Sequence, residues 1–129
     1  MDLKKVFFNL LELNKELDII EDDNEILLEI NKENYERALF ILIIRFIYEI
    51  EASSYRLLST KKRLYIIRLL MLLENLYLGN ITLNNAIHEY INILVRYALI
   101  LRENSLKFKD LEKWKKLQTK IQNIILSLH

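Results

Sequence analysis

Residues 59–80 predict one almost wholly apolar helix with marked ends. Ser59 or Thr60 can accept a hydrogen bond from a free amide of the first turn, and Gly79 can adopt the left-handed conformation that ends many helices. Apolar residues cover nearly the whole circumference between these ends, and a helix that is apolar on all sides is typically buried by its neighbours. A membrane span needs about 18 or more apolar residues with few charges, whereas Arg68 lies in the middle of this segment. The pattern therefore predicts a central core helix.

A second long helix is predicted from Asn31 or Asn34 to about Leu58. Its middle part, residues 38–48, is again apolar on most sides, so we expect it to pack against the central helix.

Each of these two apolar segments contains one arginine, and an unpaired buried charge is costly. Glu49 lies one helical turn after Arg45 and is its expected partner. No carboxylate stands three or four residues from Arg68. We therefore expect the partner of Arg68 to come from another part of the chain, or its side chain to face a ligand.

The remaining segments are predicted to pack on this core as amphipathic helices. Asp2 can cap a first helix that runs to about Ile20. Residues 25–30 are ambiguous between a helical turn and a strand. Thr82 can cap a fourth helix, which residues 102–105 close.

The last helix is predicted from Lys107 to about Leu128. It carries an apolar seam at alternating steps of three and four residues, typical of coiled coils, formed by Trp114, Leu117, Ile121, Ile124 and Leu128. In a lone monomer this seam is core, whereas in an assembly it is an interface that Trp114 could anchor. Beside the seam, within about one-sixth of the circumference, lie Lys109, Lys113, Lys116 and Lys120. Such a stripe is either solvated or binds phosphates.

The composition favours helices over strands. Among 129 residues there are one glycine and no proline, and 52% are hydrophobic, whereas the hairpins of a sheet protein need turn residues. We predict an all-α, single-domain bundle over residues 1–129, with about five helices, of which two central ones are almost wholly apolar. The absence of cysteine excludes disulfides and thiolate metal sites. Because residues 1–20 lack the features of a signal peptide, we expect a cytoplasmic protein.

The chain contains little that could perform catalysis at neutral pH. His88 and His129 are its two histidines. Residues 84–90 are similar to the His-x-Tyr end of the motif in HEPN-type helical ribonucleases, but the arginine that this family needs four to six residues before His88 is absent. We expect no enzyme activity, no cofactor, no metal site and no small-molecule substrate.

The charge of the chain is unevenly distributed. Residues 1–51 hold 13 acidic and 6 basic residues, whereas residues 52–129 hold 5 acidic and 13 basic residues. Such a chain can fold acid against base, stack with copies of itself, or present a basic face to nucleic acid. Three of the cations, Lys61, Lys62 and Arg63, lie in the first turn of the central helix, at the positive end of its dipole. They could form an anion site, pair with the acids at 21–25, or point into water.

The order of basic residues resembles that of a known family. Ser59, Thr60, Lys61, Lys62 and Arg63 begin a helix, and a helix with tyrosines and arginines follows, bearing Tyr90, Arg96, Tyr97 and Arg102. Over residues 59–112 this arrangement resembles the small helical subunit of type III CRISPR effector complexes. The resemblance implies a non-enzymatic bundle that stacks in copies along a guide–target duplex, with Lys61, Arg63, Arg96 and Arg102 on backbone phosphates. Residues 1–50 do not follow the pattern, and Leu101 stands where the family has a glycine.

Two functions fit these observations. The first is a non-enzymatic subunit that binds the RNA or DNA backbone through the basic C-terminal half, within a larger assembly. Its candidate contacts are Lys61, Lys62, Arg63, Arg68, Arg96, Arg102, Lys109, Lys113, Lys116 and Lys120. The alternative is a protein that docks on another protein or on copies of itself without nucleic acid, through the apolar seam. Neither function involves a membrane.

Overall fold

The computed structural model describes residues 2–52, 59–104 and 110–128, and these ranges contain helices and no strand. Six helices follow one another: α1 Leu3–Glu16, α2 Asn24–Asn31, α3 Tyr35–Ala52, α4 Ser59–Tyr77, α5 Leu83–Asn104 and α6 Leu111–Ser127. The all-α prediction is confirmed. The helix end expected at Leu58 and the helix start expected at Lys107 lie outside the described residues, as does Lys109.

The described ranges hold six helices rather than about five, because residues 24–31 form the separate helix α2. Ile26 and Ile30 are both buried. Side chains four residues apart lie on one face of a helix, whereas in a strand they would share a face with residue 28. Leu28 is instead 53% exposed. The burial of one helical face therefore shows that residues 24–31 form a helix, which the sequence pattern alone could not distinguish from a strand.

The helix caps predicted at Asp2 and Thr82 are present, whereas α4 begins at Ser59 itself, whose side chain lies outside the described part of the chain, and Thr60 lies inside the helix. The carboxylate of Asp2 accepts a hydrogen bond from the amide of Lys5 (3.2 Å), and the hydroxyl of Thr82 accepts one from the amide of Asn85 (3.2 Å). Gly79 adopts a φ of +72° after α4, which costs a glycine little because it has no Cβ. These contacts satisfy backbone groups that the helices leave free at their ends.

Helix α1 ends at Glu16, earlier than the predicted Ile20. Asp18 has a φ of +58°, a left-handed conformation that a helix does not continue through. The amide of Ile19 then donates to the carbonyl of Asn14 (2.9 Å). This turn keeps Ile19 and Ile20 buried without extending the helix.

Helix α3 lies at the centre of the bundle and packs against α1, α2, α4 and α5. The ring of Phe46 lies 6.0 Å from that of Tyr90 and 5.1 Å from that of Tyr97, both edge-on. Its buried residues are Ala38, Leu39, Leu42, Ile43, Phe46 and Ile50. The prediction that this segment packs against α4 is confirmed.

Helix α4 is not the central core helix that its sequence predicts. Within the described ranges it packs against α3 and α5 only. One face is buried, consisting of Tyr65, Leu69, Leu72 and Leu76. The opposite face is apolar as well, yet no described helix covers it. A helix that is apolar on all sides has more than one face to bury. The pattern does not show whether helices of the same chain or of another molecule bury each face.

A buried polar contact connects α1, α3 and α5. The hydroxyl of Tyr90 donates to the side-chain oxygen of Asn14 (2.6 Å) and lies 3.3 Å from the carbonyl oxygen of Leu42. The side-chain amide of Asn14 donates to the carbonyl of Leu10 (2.7 Å). Burial raises the pKa of Tyr90 far above that of a free tyrosine. These bonds fix how the three helices align, because a shift of one would leave buried polar atoms unpaired.

Candidate interaction surface

The three cations at the start of α4 are not alike. The ammonium group of Lys62 donates to the carbonyl of Glu51 (2.9 Å), in the last turn of α3. Lys62 therefore lies at the negative end of the α3 dipole, which offsets its unfavourable place at the positive end of the α4 dipole. Lys61 and Arg63 are exposed.

The acidic run at residues 21–25 pairs with its own half of the chain. Lys15 pairs with Asp23, and Arg45 pairs with Glu25 at 3.4 Å. The expected partner of Arg45, Glu49, is therefore not the one observed. Arg45 is exposed, and its guanidinium reaches helix α2 because α2 packs directly against α3.

Arg68 finds its partner on another helix, as expected. Its guanidinium binds the carboxylate of Glu89 on α5 at 2.8 Å, and its side chain is 26% exposed. Arg68 and Arg96 both lie within electrostatic range of Tyr65. Burial raises the pKa of Tyr65, and the two positive charges act in the opposite direction.

The basic residues of α5 and α6 differ in what they contact. Lys120 pairs with Glu16 of α1, and the guanidinium of Arg102 lies 4.7 Å from the centre of the Trp114 ring. Arg96, Lys113 and Lys116 are exposed. At Lys120 the basic C-terminal half of the chain therefore pairs with an acid of the N-terminal half.

The candidate nucleic-acid contacts that the structure describes are distributed over α4, α5 and α6. Four of them make contacts within the chain: Lys62, Arg68, Arg102 and Lys120. The exposed ones lie on three helices, and α4 does not pack against α6. Binding to a nucleic-acid backbone stays a prediction.

The apolar seam on α6 lies within the chain. Trp114, Leu117, Ile121, Ile124 and Leu128 are all buried, and α6 packs against α1 and α5. Of the two roles that its spacing left open, the structure supports the core. No partner can reach these side chains without opening the bundle.

The exposed apolar surface is instead on α4. Six side chains of α4 and of the residue that follows it are between 48% and 78% exposed: Leu64, Ile67, Leu70, Met71, Tyr77 and Leu78. We call these six the outer face. This face is not among the predicted site residues, although its apolar spacing can be seen in the sequence. Ile67 and Met71 follow Leu64 at steps of three and four residues, and the buried face has a similar but separate spacing.

Helix α3 extends this surface on one side. The ring of Phe40 contacts that of Tyr77 (6.3 Å), and the carbonyl of Glu51 contacts Lys62, so α3 runs antiparallel beside α4. Residues four apart from Phe40 lie along the same side of α3. These are Ile44, 37% exposed, and Tyr48, 68% exposed.

On the other side of α4 an open groove separates it from α5. The groove measures about 270 Å³ and is lined by Arg68, Met71, Leu72, Asn75, Ile81 and Glu89. It leaves the flank of Met71 open. The described helices therefore leave the outer face accessible along the length of α4.

The described residues hold no group of three side chains suited to a metal ion. None of the helices described is both long enough and apolar enough to cross a lipid bilayer. Comparison of the chain with protein-family models, with curated proteins and with solved structures gives no match.

Proposed function

We propose that this chain is a non-enzymatic helical interaction protein, which docks on a helix of a protein partner through the outer face of α4. The observation that carries the proposal is the outer face itself. Monomeric proteins rarely expose contiguous apolar patches larger than a few hundred Å². Such a patch marks a surface that a partner covers.

The size of the surface suits a stable complex. With Ile44 and Tyr48 of α3, the outer face offers eight exposed apolar side chains. Together they present on the order of 700 Å², close to the roughly 800 Å² that each partner contributes to a standard protein interface. Aromatic and methionine side chains such as Tyr48, Met71 and Tyr77 are enriched at interfaces.

The basic residues give less support to binding of a nucleic-acid backbone, the first function predicted from the sequence. Four of its ten candidate contacts serve the bundle itself, and the exposed ones are spread over three helices. Binding along a phosphate backbone needs several cations on one track, because each contact contributes little. Interaction with a protein is therefore the function that we propose.

The test follows the oxidation of Met71 by hydroxyl radicals, read by mass spectrometry. We expect Met71 to oxidise more slowly in cells that contain the protein than in dilute purified protein, because a partner helix covers it in cells. Ile67→Lys should make Met71 equally reactive in both settings, since it places a charge in the apolar contact.

The matched control is Leu126→Lys on α6. Leu126 is 70% exposed but lies apart from the outer face, so its substitution should leave the protection of Met71 intact. Equal, fast oxidation of wild-type Met71 in cells and in dilute solution would contradict the proposed function. Labelled RNA added at low salt provides a separate check, because binding there would favour the nucleic-acid function instead.

A further inference from the structure

We infer that the partner on the outer face is a second copy of this chain, with the two α4 helices packed antiparallel about a two-fold axis. The inference rests on the proposed function and names its partner. It follows from the spacing, the charges and the area of the outer face.

The spacing of the outer face is that of a coiled-coil strand. Steps of three, four, three and four residues connect Leu64, Ile67, Met71, Glu74 and Leu78. This repeat allows each apolar side chain to insert between four residues of a facing helix that has the same repeat. A two-fold dimer uses the same patch on both copies, so the patch must be self-complementary. The outer face meets that condition with its own repeat.

The charges select the antiparallel order. Glu74 is the acidic residue in this repeat, and Arg63 lies exposed near its other end. In a parallel pair Glu74 would face Glu74 of the second copy, where two like charges repel in a partly buried contact. In the antiparallel pair Glu74 lies beside Arg63 of the second copy, and this contact forms twice.

The antiparallel order also fixes the register. When Glu74 lies beside Arg63 of the second copy, the axis passes between residues 68 and 69, and Ile67 and Leu70 are the residues of the outer face nearest to it. Ile67 then packs against Met71 of the second copy, and Leu78 lies at the outer end. The approximately 700 Å² estimated for each copy would give a dimer interface of standard size, about 1,200 to 2,000 Å² in total.

A lipid surface fits the outer face less well than a second copy does. Glu74 stands within the apolar repeat and is exposed, and a carboxylate placed among lipid tails is costly. In the antiparallel dimer the same carboxylate gains an arginine. Binding to vesicles is accordingly an outcome of the test rather than part of the inference.

The orientation can be tested by cross-linking, since the chain contains no cysteine. Leu70→Cys and Leu78→Cys are each treated with a short bismaleimide in separate samples. Leu70→Cys should cross-link efficiently, because the two copies meet there. Leu78→Cys should not, because residues 78 of the two copies lie about 28 Å apart when each residue adds 1.5 Å along the helix. Equal cross-linking at both sites indicates a parallel pair and contradicts the inference, as does cross-linking at neither site.

The charge contact provides a second test by sedimentation equilibrium. Glu74→Arg alone and Arg63→Glu alone should each weaken dimerisation about tenfold or more, and the double variant should recover most of the wild-type affinity. Loss in both single variants without recovery in the double variant contradicts the register.

The failure of this inference can be told apart from failure of the proposed function. Oxidation of Met71 in the purified protein should slow as the concentration rises, because copies cover one another. If Met71 is protected in cells but equally reactive at all concentrations of pure protein, the partner is another molecule and the second copy is excluded. If Met71 is protected neither in cells nor at high concentrations of the pure protein, both the proposed function and the second copy are excluded. Slower oxidation on adding anionic phosphatidylserine vesicles, without dimerisation, assigns the surface to lipid.

Discussion

Helices α4 and α6 carry nearly the same apolar repeat, yet one repeat is buried and the other is exposed. In α6 the steps of three and four residues run from Trp114 to Leu128, and all five side chains are buried. In α4 the same steps run from Leu64 to Leu78, and the apolar members are more than half exposed. A coiled-coil repeat therefore shows that a helix has a partner, but not whether that partner belongs to the same chain.

The difference arises from the rest of each helix. The sides of α6 away from its seam carry mainly polar residues, including Lys115, Gln118 and Gln122, so α6 buries one face and exposes the other. Helix α4 has a second apolar face, centred on Leu69 and Leu72, and this second face is the one that packs against α3 and α5. A helix at the edge of a bundle can bury only one face within the chain, so the repeat is left for another molecule.

The largest expected effect is a difference in the free energy of unfolding between substitutions in the α6 repeat and in the α4 repeat. Trp114→Ala should lower the free energy of unfolding by about 3 to 5 kcal/mol, because the side chain is buried and stacks against Arg102. Met71→Ala should change it by less than about 0.5 kcal/mol in the monomer. Urea unfolding at low protein concentration measures both.

An equally large loss for Met71→Ala under these conditions would show that the outer face belongs to the core. A small loss for Trp114→Ala would show that α6 is not part of it.

An intermediate effect is expected from the buried polar contact between the helices. Tyr90→Phe should cost about 1 to 3 kcal/mol, because it leaves the buried oxygen of Asn14 without its donor. Replacing both partners, with Tyr90→Phe and Asn14→Leu, should recover part of that loss. Tyr48→Phe on the exposed surface is the matched control and should have almost no effect. An equal loss in both Phe variants would contradict the account.

The same tyrosine predicts a dependence on pH. Burial raises the pKa of Tyr90 above the value of about 10 that applies in the unfolded chain. Below pH 10 the hydroxyl is protonated in both states, and its contribution to stability is fully present. Above pH 10 only the unfolded chain loses the proton, so the free energy of unfolding falls by about 1.4 kcal/mol per pH unit from this group.

Urea unfolding between pH 9 and 11 measures this slope, and Tyr90→Phe should show a smaller one. Other groups that titrate in this range contribute equally to both proteins. Identical slopes would mean that Tyr90 is not buried as described.

The smallest effect concerns the start of α4. Lys62→Gln should lower stability by roughly 0.5 kcal/mol, because it loses the contact with the last turn of α3. Lys61→Gln should be neutral or slightly stabilising, since it removes an exposed positive charge from the positive end of the α4 dipole. Thermal unfolding of the two variants side by side compares them, and the reverse order of stability would contradict the different roles given to these lysines.

More of the fold than of the interaction surface could be predicted from the sequence. Caps at Asp2 and Thr82 and the stop at Gly79 follow from local chemistry, and the lack of a nearby carboxylate indicates that Arg68 needs a partner from another part of the chain. The helical conformation of α2 could not be predicted, because the burial of Ile26 and Ile30 depends on packing against α1 and α3.

The outer face could not be located from the sequence because the number of neighbours of a helix is set by the tertiary arrangement. Residues 59–80 are apolar on all sides, which is compatible with a central helix or with an edge helix that has a partner. The partner of Arg45 shows the same limit: Glu49 is nearer in sequence, but Glu25 is in reach once α2 packs on α3.

The most direct test of the exposed repeat on α4 is the mass of the protein in solution by sedimentation equilibrium. The wild-type chain should approach twice its single-chain mass of 15.6 kDa as its concentration rises. Ile67→Lys should remain at the single-chain mass with its helical content unchanged, whereas Leu126→Lys should dimerise as the wild type does. A wild-type chain that stays at the single-chain mass at every concentration would contradict the account.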